Sequence, residues 1–255
     1  MKTTSTNPPL TLLALDTATT GCAACVWQDG QILAAESESM ARGQAQELMG
    51  MVDRVLAAAR VEPCALTAVA VTRGPGAFTG LRIGLAAARG FALALGVPCV
   101  GVTTVEALAH GVPVDERVGR IIVACVESKR DDIYVQLFSS ALQPISEPLA
   151  CDAAALIALI QLGAQAGMRA DRYVLVGDAA ERALEWVQGA GMDAVLSAAP
   201  PLPNPAIIAE RAALQLRRGI SGDASSAPSA LNAPEPLYLR PPDAKLPKAE
   251  GRLRG

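Results

Sequence analysis

The segment Arg73-Gly-Pro-Gly-Ala-Phe-Thr-Gly-Leu-Arg-Ile-Gly84 joins an apolar, β-branched run to a long apolar stretch. Gly74 and Gly76 permit backbone angles that other residues resist, and Pro75 stiffens the turn. Thr79 is expected to cap the following helix by accepting a hydrogen bond from a free backbone N–H. Such N–H groups, beside Arg73 and Arg82, would suit an anion. Two nucleotide signatures are excluded. No Gly-Lys-Ser/Thr follows as a Walker loop requires, and Thr79 occupies the third glycine position of a dinucleotide fingerprint.

Six cysteines lie at 22, 25, 64, 99, 125 and 151, without the clustering of a disulfide scaffold. Cys22-Ala-Ala-Cys25 has metal-ligand spacing, but it falls in an apolar segment that reads as a strand. Residues three apart on a strand point to opposite faces, so buried thiols and no metal are expected. His110 is the only histidine. A two-histidine metal site is impossible, and any Ser- or Cys-based triad would depend on His110. Placed after Leu108-Ala109 at a predicted helix end, it is expected at the surface or at a cap.

The elements that position these residues follow from periodicity. Leu12 to Asp16 is a short apolar strand. Strands Cys22 to Trp27 and Gln31 to Glu36 flank the hairpin signal Asp29-Gly30. Leu48, Met51, Val52, Val55, Leu56 and Ala59 recur at helical spacing, giving a helix over about Gln44 to Arg60. Strand Thr67 to Thr72, helix Thr79 to Leu95, strand Pro98 to Val102 and a short helix from Val105 complete the first half. The second half repeats the order: strands Arg120 to Val126, Ile133 to Phe138 and near Gln143 to Leu149, helix Ala153 to Leu162, strand Tyr173 to Val176, then helices Ala179 to Gln188 and Pro205 to Arg218. The repeat predicts two related α/β lobes. A Ser/Pro/Ala-rich stretch, Ser221 to Pro236, reads as a linker to Leu237-Tyr-Leu-Arg240 and a basic, frayed tail.

In helix Thr79 to Leu95, Arg82 and Arg89 are the only charges and share a face. A helix apolar all round is buried all round, and Gly80 and Gly84 would let another helix approach closely. This helix is therefore expected either to meet a partner or to lie internally between sheet and tail. The chain has 255 residues, 51% apolar, with net charge −3, so it has area for a large core and no bulk attraction for nucleic acid. The run Leu10 to Leu15 is too short for a signal-peptide core. Uncharged stretches such as Gly90 to Val105 contain Pro98 and fall below the roughly 18 residues of a membrane span. A soluble, cytoplasmic chain without a membrane segment is expected.

Leu15-Asp-Thr-Ala-Thr19, Arg73 to Gly84, and Pro236-Leu-Tyr-Leu-Arg240 together resemble the TsaB (YeaZ-type) family, in order and spacing across nearly the whole chain. The resemblance implies the two-lobed α/β actin/Hsp70/sugar-kinase-like (ribonuclease H-like) fold. It also implies a non-catalytic dimerisation partner of a TsaD-type catalytic subunit in tRNA threonylcarbamoyladenosine modification, joined by a TsaE-type ATPase. On this reading residues 1–112 form an N-terminal lobe with the partner-binding helices, 113–220 a C-terminal lobe, and 221–255 a linker and tail. The expected contact comprises Gln46, Met49, Gly50, Asp53, Phe78, Leu81, Arg82, Gly84, Leu85 and Arg89. tRNA would be reached through the complex, with ATP and metal on partner subunits and none on this chain. A homodimer is possible when the chain is alone.

In that fold two hairpins, one per lobe, clamp nucleotide phosphates. The first, Asp16-Thr-Ala-Thr-Thr20, is present, making Asp16, Thr17 and Thr19 weak candidates for a cofactor. The second, Ser128-Lys-Arg-Asp-Asp132, lacks glycine and carries two carboxylates. The loop Val176-Gly-Asp-Ala-Ala180 keeps one glycine. Many relatives have a histidine where this chain reads Arg42-Gly-Gln-Ala-Gln46, and Gln44 cannot change charge near neutral pH. The alternative is a nucleotide-dependent small-molecule kinase or ATPase of the same fold, using Asp16.

Overall fold

A computed structural model describes residues 9–165, 172–220 and 234–240. The basic tail after Arg240 and most of the stretch read as a linker lie outside the described residues. The first sheet contains β1 (Thr11–Asp16), β2 (Gly21–Gln28) and β3 (Gln31–Ser39), followed by α1 (Gln44–Ala59), β4 (Ala68–Thr72), α2 (Phe78–Leu95), β5 (Cys99–Val102) and α3 (Thr104–Gly111). A short α4 (Val114–Arg117) leads into β6 (Ile121–Glu127), β7 (Ile133–Phe138), β8 (Leu149–Cys151), α5 (Ala153–Gln165), β9 (Arg172–Val176), α6 (Ala180–Gly189), β10 (Asp193–Leu196) and α7 (Pro205–Ile220).

The two sheets have the same topology. The first runs β3-β2-β1-β4-β5 and the second β8-β7-β6-β9-β10. In each, the first three strands are antiparallel and the last two join parallel to the first, with Leu13 opposite Val69 and Ile122 opposite Val174. Asp29 (φ 44°) and Gly30 (φ 97°) make the β2–β3 turn with the positive angles a tight hairpin needs. The duplication expected from element order is present, and the architecture is the two-lobed actin/Hsp70/sugar-kinase-like fold.

Packing crosses the two halves. The sheet-one face away from α1 and α2 is covered by α7, through Ala206, Ile208, Ala209, Ala212 and Ala213 against Leu12, Ala14, Trp27 and Val102. The matching face of sheet two is covered by α3, through Val105, Leu108, Ala109 and Val112. A bridge from Arg211 of α7 to Glu106 of α3, at 2.8 Å, joins the crossing helices. The half 1–112 thus lends α3 to the second sheet, and the half 113–220 lends α7 to the first.

Cys22 packs in the core under α1 and α2, while Cys25 packs under α7, on opposite faces of β2. Burial pushes both thiols up to about 12, leaving them protonated and poor metal ligands.

Candidate functional site

The loop after β4 places α2. Gly74 has φ 108°, and the Gly74–Pro75 bond is cis. The helix begins one residue earlier than expected. Ala77 holds the N-cap position without a side-chain bond, and Thr79 lies exposed in the first turn, so Thr79 is not the cap. The β1–β2 turn fixes the helix start instead. Ala77 donates its N–H to the Ala18 carbonyl at 2.7 Å, and the Thr17 hydroxyl donates to the Gly80 carbonyl at 2.7 Å. A Cβ on Gly76 or Gly80 would overlap the carbonyls of Ala18 or Thr17, and one on Gly84 would meet the Thr17 hydroxyl. Gly80 and Gly84 therefore serve close contact with this turn, not with a second helix.

This geometry divides α2 into two faces. Leu81, Gly84, Leu85, Ala88 and Ala92 are buried against the first sheet. Leu81, Gly84 and Leu85, expected at a partner contact, are internal. The helix reads as apolar all round, so its sequence period carries no phase from which to choose a face. The outer side shows Ile83, Ala86, Ala87, Gly90, Leu93 and Ala94, with Leu93 69% exposed. On α1, Gln46, Met49 and Asp53 are exposed and Gly50 is half-buried. Phe78, Arg82 and Arg89 are also exposed. By length and composition α2 could cross a membrane, but its inner face is built into the core.

A C-terminal segment lies along the edge of α2. Leu237 donates its N–H to the Arg73 carbonyl at 2.6 Å, and Arg89 reaches the Pro234 carbonyl at 2.7 Å. Arg82 donates to the Tyr238 hydroxyl at 3.2 Å and sits 3.7 Å over the Phe78 ring, which contacts Tyr238 at 5.4 Å. The missing Cβ atoms of Gly74 and Gly101 admit Leu237 and Pro234. Arg240 then pairs with Asp132 in the second lobe. Pro234 and Pro236, assigned to a linker from composition, belong to this docked strap. Arg82, read from sequence beside a helix start that would suit an anion, is engaged with this strap.

Between the lobes, Asp16 accepts bonds from the Thr72 hydroxyl at 2.5 Å and the Ala18 N–H at 3.1 Å. Burial raises its pKa to about 6, against the lowering effect of these bonds, with Asp178 adding repulsion. Asp178, at the end of β9, accepts from the Glu127 N–H at 2.8 Å, and burial likewise raises it to about 6. Sequence reading missed Asp178 because it was weighed only as part of a one-glycine loop. Thr17 spends its hydroxyl on Gly80, and Thr19 is buried.

The β6–β7 turn is occupied by its own groups. Ser128 donates to the Asp132 carbonyl at 2.6 Å, and Arg182 donates to the Asp132 and Arg130 carbonyls and pairs with Glu127 at 2.8 Å. Lys129, with φ 62°, stands where a phosphate-cradling turn would favour glycine. These groups do not form the second half of a phosphate clamp. His110 is half-buried, not a surface residue. Burial, then Arg211 and Arg117, lower its pKa to about 4, so it is neutral. No hydroxyl or thiol hydrogen-bonds to it among the bonds of the described residues.

Fold and site define a two-lobed actin/Hsp70/sugar-kinase-like protein with an exposed apolar strip on α2. The chain belongs to the family described as TsaD: tRNA N6-adenosine threonylcarbamoyltransferase, which matches residues 32–248. Relatives of the TsaB (YeaZ) type are among the proteins it matches. It is 34% identical over 123 residues to the tRNA threonylcarbamoyladenosine biosynthesis protein TsaB of Escherichia coli (strain K12), covering 48% of this chain and 52% of that protein. The namesake from Haemophilus influenzae is 30% identical over 125 residues, covering 49% and 52%. The chain spans about half the length of these curated relatives. Among solved structures, YeaZ from Pseudomonas aeruginosa superposes with TM-score 0.67 at 26% identity, covering 90% of this chain and 100% of that one.

Proposed function

We propose that this chain is a non-catalytic subunit for tRNA threonylcarbamoyladenosine biosynthesis that docks α1 and α2 onto a TsaD-type catalytic subunit. The observation that carries this reading is the outer face of α2. Ala86, Gly90, Leu93 and Ala94 form an exposed apolar strip on one helix side, bordered by the half-buried Ile83 and Ala87, and α1, which contacts α2, exposes Met49. Small residues on such a strip allow a facing helix to approach closely, and burial of exposed apolar area drives the contact. The family match and the TsaB-named relatives supply the pathway.

Catalysis by the single chain lacks a chemical basis in the groups that line its cleft. Asp16 already binds Thr72 and the backbone, and the β6–β7 turn is closed on itself. That arrangement disfavours the kinase alternative. ATP and metal would then belong to the partner subunits, a TsaE-type ATPase among them, with tRNA bound by the assembly in the cytoplasm. Alone, the bare helix pair would favour a homodimer.

The test mixes the purified chain with its TsaD-type partner and follows co-elution and tRNA modification. The wild-type pair should co-elute and modify tRNA, and the single chain should do neither. An Ala86→Glu variant that melts normally yet still co-elutes with the partner would overturn the docking face.

A further inference from the structure

The exposed side of α2 carries two charges, Arg82 and Arg89, and the strap 234–240 holds both. Arg82 donates from Nε to the Tyr238 hydroxyl at 3.2 Å, with its guanidinium 3.7 Å over the Phe78 ring. Arg89 donates to the Pro234 carbonyl at 2.7 Å. We propose, resting on the docking reading above, that the strap fixes these two arginines to receive a pair of carboxylates on the catalytic subunit. Tyr238 is then a positioning residue, acting through Arg82.

The placement suits that role. Arg82, Ala86, Arg89, Gly90 and Leu93 are exposed at helical spacing, so the arginines border the apolar strip on its strap side. Seven residues separate the two, which is two helical turns, or about 10 Å along the axis. A facing helix with acids two turns apart matches that spacing. An exposed arginine ordinarily samples many rotamers, and ordering it at a contact opposes association. Here the ordering is done within the chain, because the strap has a seat of its own. Leu237 donates its N–H to the Arg73 carbonyl at 2.6 Å. A Cβ on Gly74 would lie 2.8 Å from the Leu237 carbonyl oxygen, and one on Gly101 would lie 2.5 Å from Pro234.

The strap fixes the arginines without neutralising them. Tyr238 and Pro234 offer uncharged oxygens, which leaves most of the five donors of each guanidinium open. Among the described residues neither arginine makes an ion pair. Glu235, the one acid of the strap, is exposed and bonds to neither. Two ordered cations beside an apolar strip are complementary to acids on a protein surface, where a planar guanidinium matches a carboxylate. RNA phosphates suit this face less well, because Ala86, Gly90 and Leu93 offer nothing to a backbone of repeated charge.

The experiment measures binding of the full chain to the purified TsaD-type catalytic subunit at stepped salt. Arg82→Gln and Arg89→Gln should each weaken binding several-fold, chiefly through slower association, and should flatten its salt dependence. Melting should not move, since both side chains are exposed. Tyr238→Phe keeps the ring against Phe78 and removes only the hydroxyl. It should weaken binding on its own and add nothing beside Arg82→Gln. A Tyr238→Phe loss that adds in full to that of Arg82→Gln overturns the positioning role. Arginine variants that bind the subunit normally while tRNA binding by the assembly falls assign the cations to RNA and overturn the proposal. Ala86→Glu separates this pairing from the docking reading. If Ala86→Glu abolishes binding while both arginine variants bind normally, the pairing alone is overturned. If Ala86→Glu binds normally, the docking face is overturned and the pairing with it.

Discussion

α2 and α6 occupy the same place in the two halves of a duplicated fold, yet their outer faces differ. Each follows the strand that pairs parallel to its lobe's first strand, and each packs its inner face on that sheet. α6 turns Glu181, Glu185 and Gln188 to solvent, while α2 turns Ala86, Gly90, Leu93 and Ala94 outward. The inner sides differ as well. α6 seats Ala180, Ala183 and Val187, whereas α2 uses Gly80 and Gly84 to reach the Thr17 turn. α5, which packs against α6, does expose Leu162, but beside that polar surface. The shared topology thus fixes where a helix lies, and outward residue chemistry decides whether it ends as solvated surface or as a contact.

The largest expected effect comes from the inner side of α2. Leu85→Glu places an unpaired carboxylate in the core, and Gly84→Leu drives a side chain into Thr17 and Val71. Each should cost at least about 3 kcal/mol and unfold the chain, read by thermal melting. Next, Ala86→Glu or Ala94→Glu on the outer side should leave melting unchanged while abolishing co-elution with the catalytic subunit. The mirrored change on α6, Glu185→Ala, should affect neither, and loss of complex formation there would erase the contrast between the lobes.

A smaller effect concerns pH. Asp16 and Asp178 hold protons up to about 6 when folded, against an ordinary value of 3.8, so the folded state binds more protons over that window. Their contribution is therefore present below pH 3.8 and lost as pH rises towards 6. His110 works the other way. Its folded value of about 4 lies below its ordinary 6.5, so its contribution is present above 6.5 and lost as pH falls towards 4. Two carboxylates against one imidazole should make stability fall by on the order of 2 kcal/mol between these limits. Asp178→Asn should flatten the curve in denaturant titrations at stepped pH. An unchanged slope would mean Asp178 does not carry the effect. The smallest change expected is from Arg54→Ala. The exposed pairs of Arg54 with Glu36 and Glu47 should contribute little, with a correspondingly slight shift in melting.

Local pattern made the element order legible, because each strand and helix is a short run with its own period and turn signals. Three expectations differ from the structure, two for local reasons and one for a tertiary one. The third strand of the second lobe was expected at Gln143 to Leu149, but Pro144 and Pro148 cannot donate ladder bonds, so only an isolated bridge, Phe138–Pro144, forms there and the ladder starts at Leu149. β10 went unread because four residues, Asp193–Leu196, give too little alternation. The sheet covered by α7 is decided by which face remains open after the second lobe folds, and no window along the chain contains that information. At the site, the start of α2 was legible from its glycines, but their purpose was not. They make room for the Thr17 turn some 60 residues away in sequence, a contact visible only after folding.

The exchange of α3 and α7 has a mechanical consequence. The two halves are interlocked through their cores, like two hands each gripping the other's wrist, beyond the covalent connection near Pro113. A chain severed there would give two pieces, each with one sheet face uncovered and one helix without a seat, complementary only to each other. Folding of either half therefore waits on the other, and force applied between the lobes is resisted by hydrophobic packing on both sides of the Arg211–Glu106 bridge.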